Sequence, residues 1–230
     1  MLFRSKARFV AGGHMTAPPA TLTYASVVSR ESVRIALVLA SLNNMIVLNA
    51  DIQNTYLHAD CRERIYRIAG KEFGSNHGKT MTITKALYGL KSSGAAFWSL
   101  LAEKLDQIGY TASRGDPDVW FRPIQKGDRK YYEYVLVYVD DLLVVSFNPM
   151  QTMDQLSATF KFKAGSIKTP ESFLGEKLTL NTNEGRNHWV ISSAKYIKAA
   201  CDTVQSKMEE RHKITPYNEK ELHTYRLHIP

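Results

Sequence analysis

An α+β fold, with antiparallel hairpins packed beside amphipathic helices, is what the hydrophobic patterning of this chain predicts. Three observations lead there. Apolar runs of strand length, Val135–Val139 and Leu142–Val145, flank the acidic pair Asp140–Asp141 as the two arms of a bend. The residues Trp98, Leu101, Leu105 and Ile108 recur at helical steps of three and four, while Glu103, Lys104, Asp106 and Gln107 fall on other faces. Turn-forming clusters, Gln125–Arg129 and Asn183–Arg186, separate strand-like segments at hairpin distance.

Taken in order, Ser29 precedes Glu31 and an apolar stretch to Leu42, a capped helix with an acid in its first turn that stops at Asn43–Asn44. Met45–Ala50 reads as a buried strand ending on Asp51, and a short strand is expected around Ile65–Ile68. The segment Lys71–Lys79, with Gly74, Ser75, Asn76 and Gly78, predicts a loop before a strand over Thr80–Lys85. Ser92 or Ser93 is placed to cap the amphipathic helix that runs to Ile108. Paired strands follow at Val119–Ile124 and Lys130–Asp140, then a strand from Leu142 to Phe147 and a helix opened by Pro149. Phe173–Leu180 and His188–Ile191 form a further predicted hairpin, before a helix carrying Ile197, Cys201, Val204 and Met208 on one side. Beyond Arg211 the periodicity gives way to a polar tail.

Charge and cysteine content narrow the function classes. Thirty basic against twenty-two acidic side chains leave a formal charge of +8, and no acid precedes Glu31. That balance favours a polyanionic partner through counterion release, and equally describes a soluble basic surface. Cys61 and Cys201 stand alone, without the spacing of a zinc cluster or a disulfide framework, which fits a reducing compartment. The apolar run Ile35–Ala40 is far too short to span a bilayer. A cytoplasmic, intracellular protein without a membrane partner is expected.

Two adjacent carboxylates between buried strands lose hydration that something must replace. A divalent cation is the simplest replacement; a hairpin tip bearing two solvated aspartates is the alternative. Asp51 at the end of its own strand supplies a third carboxylate, and such a set with several waters suits Mg²⁺.

Here the residues resemble a family. Tyr138-Val139-Asp140-Asp141, within Leu136–Leu143, is similar to the catalytic box of reverse transcriptases. The neighbouring blocks resemble the copia (pseudovirus) type of LTR retrotransposon: Lys6–Val10, Asn49–Ile52 with Thr55–Leu57, Lys85–Lys91, Asp116–Asp118, Phe173–Gly175, Lys195–Ile197 and Thr215–Pro216, all in order. The resemblance implies a palm of antiparallel strands backed by helices, with partial fingers before it and a connecting or thumb-like region after it. The corresponding divisions are fingers at about 1–44 and 62–90, palm at about 45–61 and 91–170, a C-terminal hairpin and helix at about 171–210, and a tail at 217–230.

The resemblance also implies the chemistry: RNA-directed DNA polymerisation, in which a primer 3′-oxygen attacks the α-phosphorus of a deoxynucleoside triphosphate on an RNA or DNA template. Asp51 and Asp140 are then the principal ligands of Mg²⁺ or Mn²⁺, with Asp141 supporting and the Ile52 backbone carbonyl a further ligand. Tyr56 is the candidate that excludes a ribose 2′-hydroxyl, the alternative being an ordinary core aromatic. Lys6 and Arg8 are candidates for the triphosphate, Ser92 for the nucleotide pocket, and Lys195 and Lys198 for the duplex; a solvated basic surface is the alternative for these lysines and arginines. The family location is a virus-like particle in the cytoplasm.

Some positions depart from the pattern. Ser92 and Ala95 stand where the family usually has Gln and Arg, Gly94 where it has Pro, and His58–Ala59 where Asn-Gly is common. The N-terminus is expected to lack the first strands of the fingers. Two readings therefore stand: a polymerase domain of a retrotransposon polyprotein, and a non-catalytic, decayed remnant with residual nucleic-acid binding. A carboxylate-pair hydrolase fits less well, because the spacing provides no separate acid and base around one bond.

Overall fold

The computed structural model describes residues 9–16, 18–20, 23–183 and 185–212. Lys6, Arg8 and Thr215–Pro216, singled out above, lie outside these residues, as does the tail. The chain forms two units, one of residues 1–170 with 181–189 and one of 171–180 with 190–230.

The first unit is built on a five-stranded antiparallel sheet in the order β1 (Ile46–Asp51), β7 (Asp141–Ser146), β6 (Arg129–Tyr138), β5 (Val119–Lys126) and β4 (Thr111–Ala112). Strand alternation sends Val135, Val137, Leu142 and Val144 into one core, with Phe97, Leu101 and Leu105 of α2 (Ser93–Gln107) and Met153 and Leu156 of α3 (Pro149–Ser157). The intervening residues Leu136, Leu143 and Val145 are equally buried and face the other way. There α1 (Arg30–Asn43) contacts β1 and β7, burying Val33, Ala36, Leu37 and Ala40. Its cap is the predicted one: the Ser32 amide donates to Ser29 Oγ, and Asn44 ends the helix in the left-handed region.

Both faces of β6 and β7 are thus covered, which explains why their apolar runs are unbroken rather than alternating. A polar cluster around Glu133 interrupts the core. Glu133 is 2% exposed, and alternation turns it to the same face as Val135. Arg122 Nη2 donates to its Oε2 at 2.7 Å and Ser146 Oγ donates to its Oε1, while Tyr110 hydrogen-bonds Thr152 at 2.8 Å. Burial pushes the Tyr110 hydroxyl up to about 12, so it stays protonated within this cluster.

A two-stranded sheet, β2 (Tyr66–Ile68) with β3 (Thr80–Thr82), completes the first unit. Two expectations are corrected here. Lys71–Asn76 is a 3-10 segment kinked at Gly74 rather than a plain loop. The strand predicted to reach Lys85 ends at Thr82, and Lys85 instead bridges to Asp60, with Nζ 2.7 Å from Oδ1. A third correction concerns the start of α2. Neither serine caps it, because Ser92 Oγ donates to Glu63 Oε2 at 2.7 Å and Ser93 Oγ to the Leu87 carbonyl at 2.6 Å.

Strands β8 (Ser172–Phe173), β9 (Glu176–Asn183) and β10 (Arg186–Ser192) form a separate sheet in the order β10-β9-β8. The second unit buries Phe173 and Leu178, and Ser193 Oγ donates to Glu176 Oε1 at 3.2 Å. Its helix α4 (Ala194–His212) exposes every described side chain, Lys195 and Lys198 included. No helix among the described residues is long and apolar enough to cross a membrane.

Candidate active site

Three carboxylates separated by up to ninety residues meet at one rim of the five-stranded sheet because β1 and β7 are neighbours in it. Their register pairs Asp51 directly with Asp141. The β6–β7 hairpin closes over Val139 and Asp140, with Tyr138 opposite Asp141. Val139 takes φ 55°, a left-handed conformation costly for a β-branched residue and tolerated only where the surroundings enforce it. One enforcing contact is visible: the Ile52 amide donates to the Asp140 carbonyl at 2.8 Å, tying the turn to the residue after Asp51.

The outer edge of β1 is not free. Residues 161–168 run along it, with the Gln53 amide donating to Lys161 O at 2.8 Å, the Lys163 amide to Asp51 O at 2.9 Å, and the Asn49 amide to Lys168 O at 2.9 Å. This places Lys163 Nζ 3.0 Å from Asp51 Oδ2, while the Asp51 amide donates to Ser166 Oγ at 3.1 Å. Lys163 is a site residue that sequence reasoning missed. Its signal, the alternation Phe160-Lys161-Phe162-Lys163, marks an edge strand but does not say which strand it covers.

The electrostatics follow from this crowding. Desolvation, then repulsion from Asp140 and Asp51, pushes the Asp141 carboxyl up to about 6, with Lys163 acting in the opposite sense. The hydrogen bond and charge of Asp51 push the Lys163 ammonium up in turn. The three carboxylates of the rim carry more negative charge than Lys163 alone neutralises. An all-oxygen donor set of this kind fits a hard divalent cation. Among the described residues, however, no three acidic, histidine or cysteine side chains converge as a ready-made cage, and Asp51 is engaged by Lys163. The Ile52 carbonyl accepts from Thr55 Oγ1 at 2.8 Å, which leaves it one lone pair.

Tyr56 sits on the 3-10 turn Thr55–His58 just beyond Asp51, half-buried, its ring 4.8 Å from that of Tyr88 and 6.5 Å from that of Phe97. It lines a cavity of about 230 Å³ together with Gly94, Phe97, Trp98, Val137 and Val139. Ser92, by contrast, is 5% exposed and spends its hydroxyl on Glu63. Lys195 and Lys198 belong to the other unit.

The profile of the reverse transcriptase (RNA-dependent DNA polymerase) family matches residues 2–216. The chain therefore belongs to that family, and within it to the copia type. It is 31% identical over 169 residues to a retrovirus-related Pol polyprotein from transposon RE1 of Arabidopsis thaliana, covering 70% of this chain and 11% of that one. Over 149 residues it is 32% identical to the transposon Ty1-DR4 Gag-Pol polyprotein of Saccharomyces cerevisiae, covering 62% and 8% respectively. The chain thus spans about a tenth of the length of the curated relatives it matches. No solved structure matches it significantly.

Proposed function

We propose that this chain is the polymerase portion of a retrotransposon polyprotein and extends a primer on an RNA or DNA template with deoxynucleoside triphosphates. The observation that carries the reading is the pairing of Asp51 with Asp141 beside the turn that presents Asp140. Asp51 and Asp140 would hold Mg²⁺ or Mn²⁺, with Asp141 supporting them and the Ile52 carbonyl contributing its remaining lone pair. A pair of such ions supplies activation of the attacking oxygen and charge stabilisation at the leaving one.

The chain's own residues do the rest. The Ile52–Asp140 backbone bond fixes the spacing of the two principal carboxylates. Lys163 balances the charge of Asp51 in the cation-free protein. Tyr56, braced by Tyr88 and Phe97, excludes the 2′-hydroxyl of a ribose. In this reading 45–61 and 91–170 are the palm, 1–44 and 62–90 the fingers with Lys6 and Arg8 near the triphosphate, and 171–210 a thumb-like region. There the exposed Lys195 and Lys198 reach duplex phosphates. The expected location is intracellular.

Primer extension tests the reading. Divalent-ion-dependent extension that disappears in Asp140→Asn supports it, and extension that survives the substitution removes Asp140 from the mechanism. A second reading, a remnant that binds nucleic acid without catalysis, is favoured by one observation. Ser92 is buried against Glu63 and Ala95 is buried as well, so the start of α2 offers a nucleotide no polar side chain at these two positions. Salt-sensitive primer-template binding without extension would select that reading.

A further inference from the structure

One buried ionisable group takes no part in the chemistry above. Asp118 is fully buried, at 0% exposure, and Trp98 Nε1 donates to its Oδ1 at 2.7 Å. Its Oδ2 has no hydrogen-bond partner among the described residues. A carboxylate half-satisfied in this way is expensive to bury, so what it holds matters more than what it stabilises.

Its backbone carbonyl joins the neighbouring strand, while its carboxylate holds a single group, the Trp98 indole. The Val137 amide donates to the Asp118 carbonyl at 2.9 Å, and the Val28 amide donates to the Val137 carbonyl at 3.0 Å, two residues before the strained Val139. The side chain, meanwhile, fixes the Trp98 indole. Trp98 lines the same cavity as Tyr56 and Val139, and no charged side chain lines that cavity among the described residues. An uncharged ring of sugar size suits such a space, and a phosphate does not.

We propose that Trp98 is a second determinant of sugar specificity, a wall of the cavity that Tyr56 guards, and that Asp118 is the positioning residue that locks its indole. The inference rests on the polymerase reading above. Asp118 acts through Trp98 alone, so removing either should relax the same discrimination.

The test compares binding of dATP and ATP to the protein with primer-template, read from nucleotide competition, and incorporation where extension is measured. Four variants suffice: Tyr56→Ala, Trp98→Phe, Asp118→Leu and the double Trp98→Phe/Asp118→Leu. Apolar walls discriminate by roughly 10- to 200-fold, so Trp98→Phe and Asp118→Leu should each lower the dATP:ATP ratio by about tenfold. The double variant should lower it no further than the worse single one. A ratio is insensitive to the fraction of folded protein. Where a single variant does not fold because a buried partner is left unsatisfied, the double variant removes both groups and carries the measurement.

A ratio that falls in Tyr56→Ala but is unchanged in Trp98→Phe or the double variant overturns the proposal and leaves the gate at Tyr56 standing. A ratio unchanged in Tyr56→Ala, or a parent that does not prefer dATP, overturns the reading beneath it and the proposal with it.

Discussion

Asp141→Asn should stabilise the cation-free protein. The carboxyl of Asp141 is pushed from 3.8 up to about 6 by desolvation and by the charges of Asp140 and Asp51. At about 1.4 kcal/mol per unit, ionising it in the folded state costs about 3 kcal/mol at most, and solvent at the half-buried rim reduces this toward ~1–2 kcal/mol. The sign is fixed by linkage. The unfolded chain releases this proton near pH 4 and the folded chain near pH 6, so stability from this group falls as pH rises through that window and stays low above it. An amide has no proton to lose. Urea unfolding in EDTA, parent against Asp141→Asn, should show nearly equal stability at pH 4 and a gap that opens by pH 6.5 in favour of the variant. Adding millimolar Mg²⁺ should narrow the gap, because the ion binds the parent's three carboxylates more tightly than the two that the variant keeps. A variant less stable than the parent at pH 8 in EDTA would refute the reasoning that these carboxylates repel one another.

Other expectations follow from the same structure. Lys163→Met removes the ammonium that competes for Asp51, so Mn²⁺ affinity should rise by roughly 2- to 10-fold by titration, while the exposed ion pair costs less than about 1 kcal/mol of stability. Glu133→Ala strands the buried Arg122 guanidinium and should cost about 3–5 kcal/mol in urea unfolding; a loss under about 1 kcal/mol would show that the pair contributes little. Ser29→Ala loses the α1 cap and with it about 1 kcal/mol.

The elements carrying the strongest periodicity were legible in the sequence. The cap at Ser29, the stop at Asn44, the stripe of α2 and the strand ending on Asp51 each follow from local chemistry, and the structure has them. Strand-end positions made convergence of Asp51 with Asp140 and Asp141 an option and the family resemblance strengthened it, but their direct pairing was not legible, since strand order is a long-range property that no local pattern encodes. Lys163 was missed for the same reason: it lies 112 residues from its partner in sequence. The start of α2 misled because a serine before a helix is usually a cap, yet here tertiary acceptors, Glu63 and the Leu87 carbonyl, outcompete the local amides. Asp118 shows the converse. Its neighbour Asp116 behaves as an acid before a turn should, accepting from Ser29 and Ser32; burial alone would raise its carboxyl, but these hydrogen bonds hold it below the usual range. Two residues later an identical side chain is buried with one oxygen unpaired, which composition gives no hint of.

Mn²⁺ binding followed by electron paramagnetic resonance addresses the central claim most directly, since it reads the carboxylates without requiring turnover. The parent should bind the ion, with affinity at least tenfold weaker in both Asp51→Asn and Asp140→Asn. Equal affinity in the parent and either variant would mean that these side chains, though neighbours on one rim, do not share a cation.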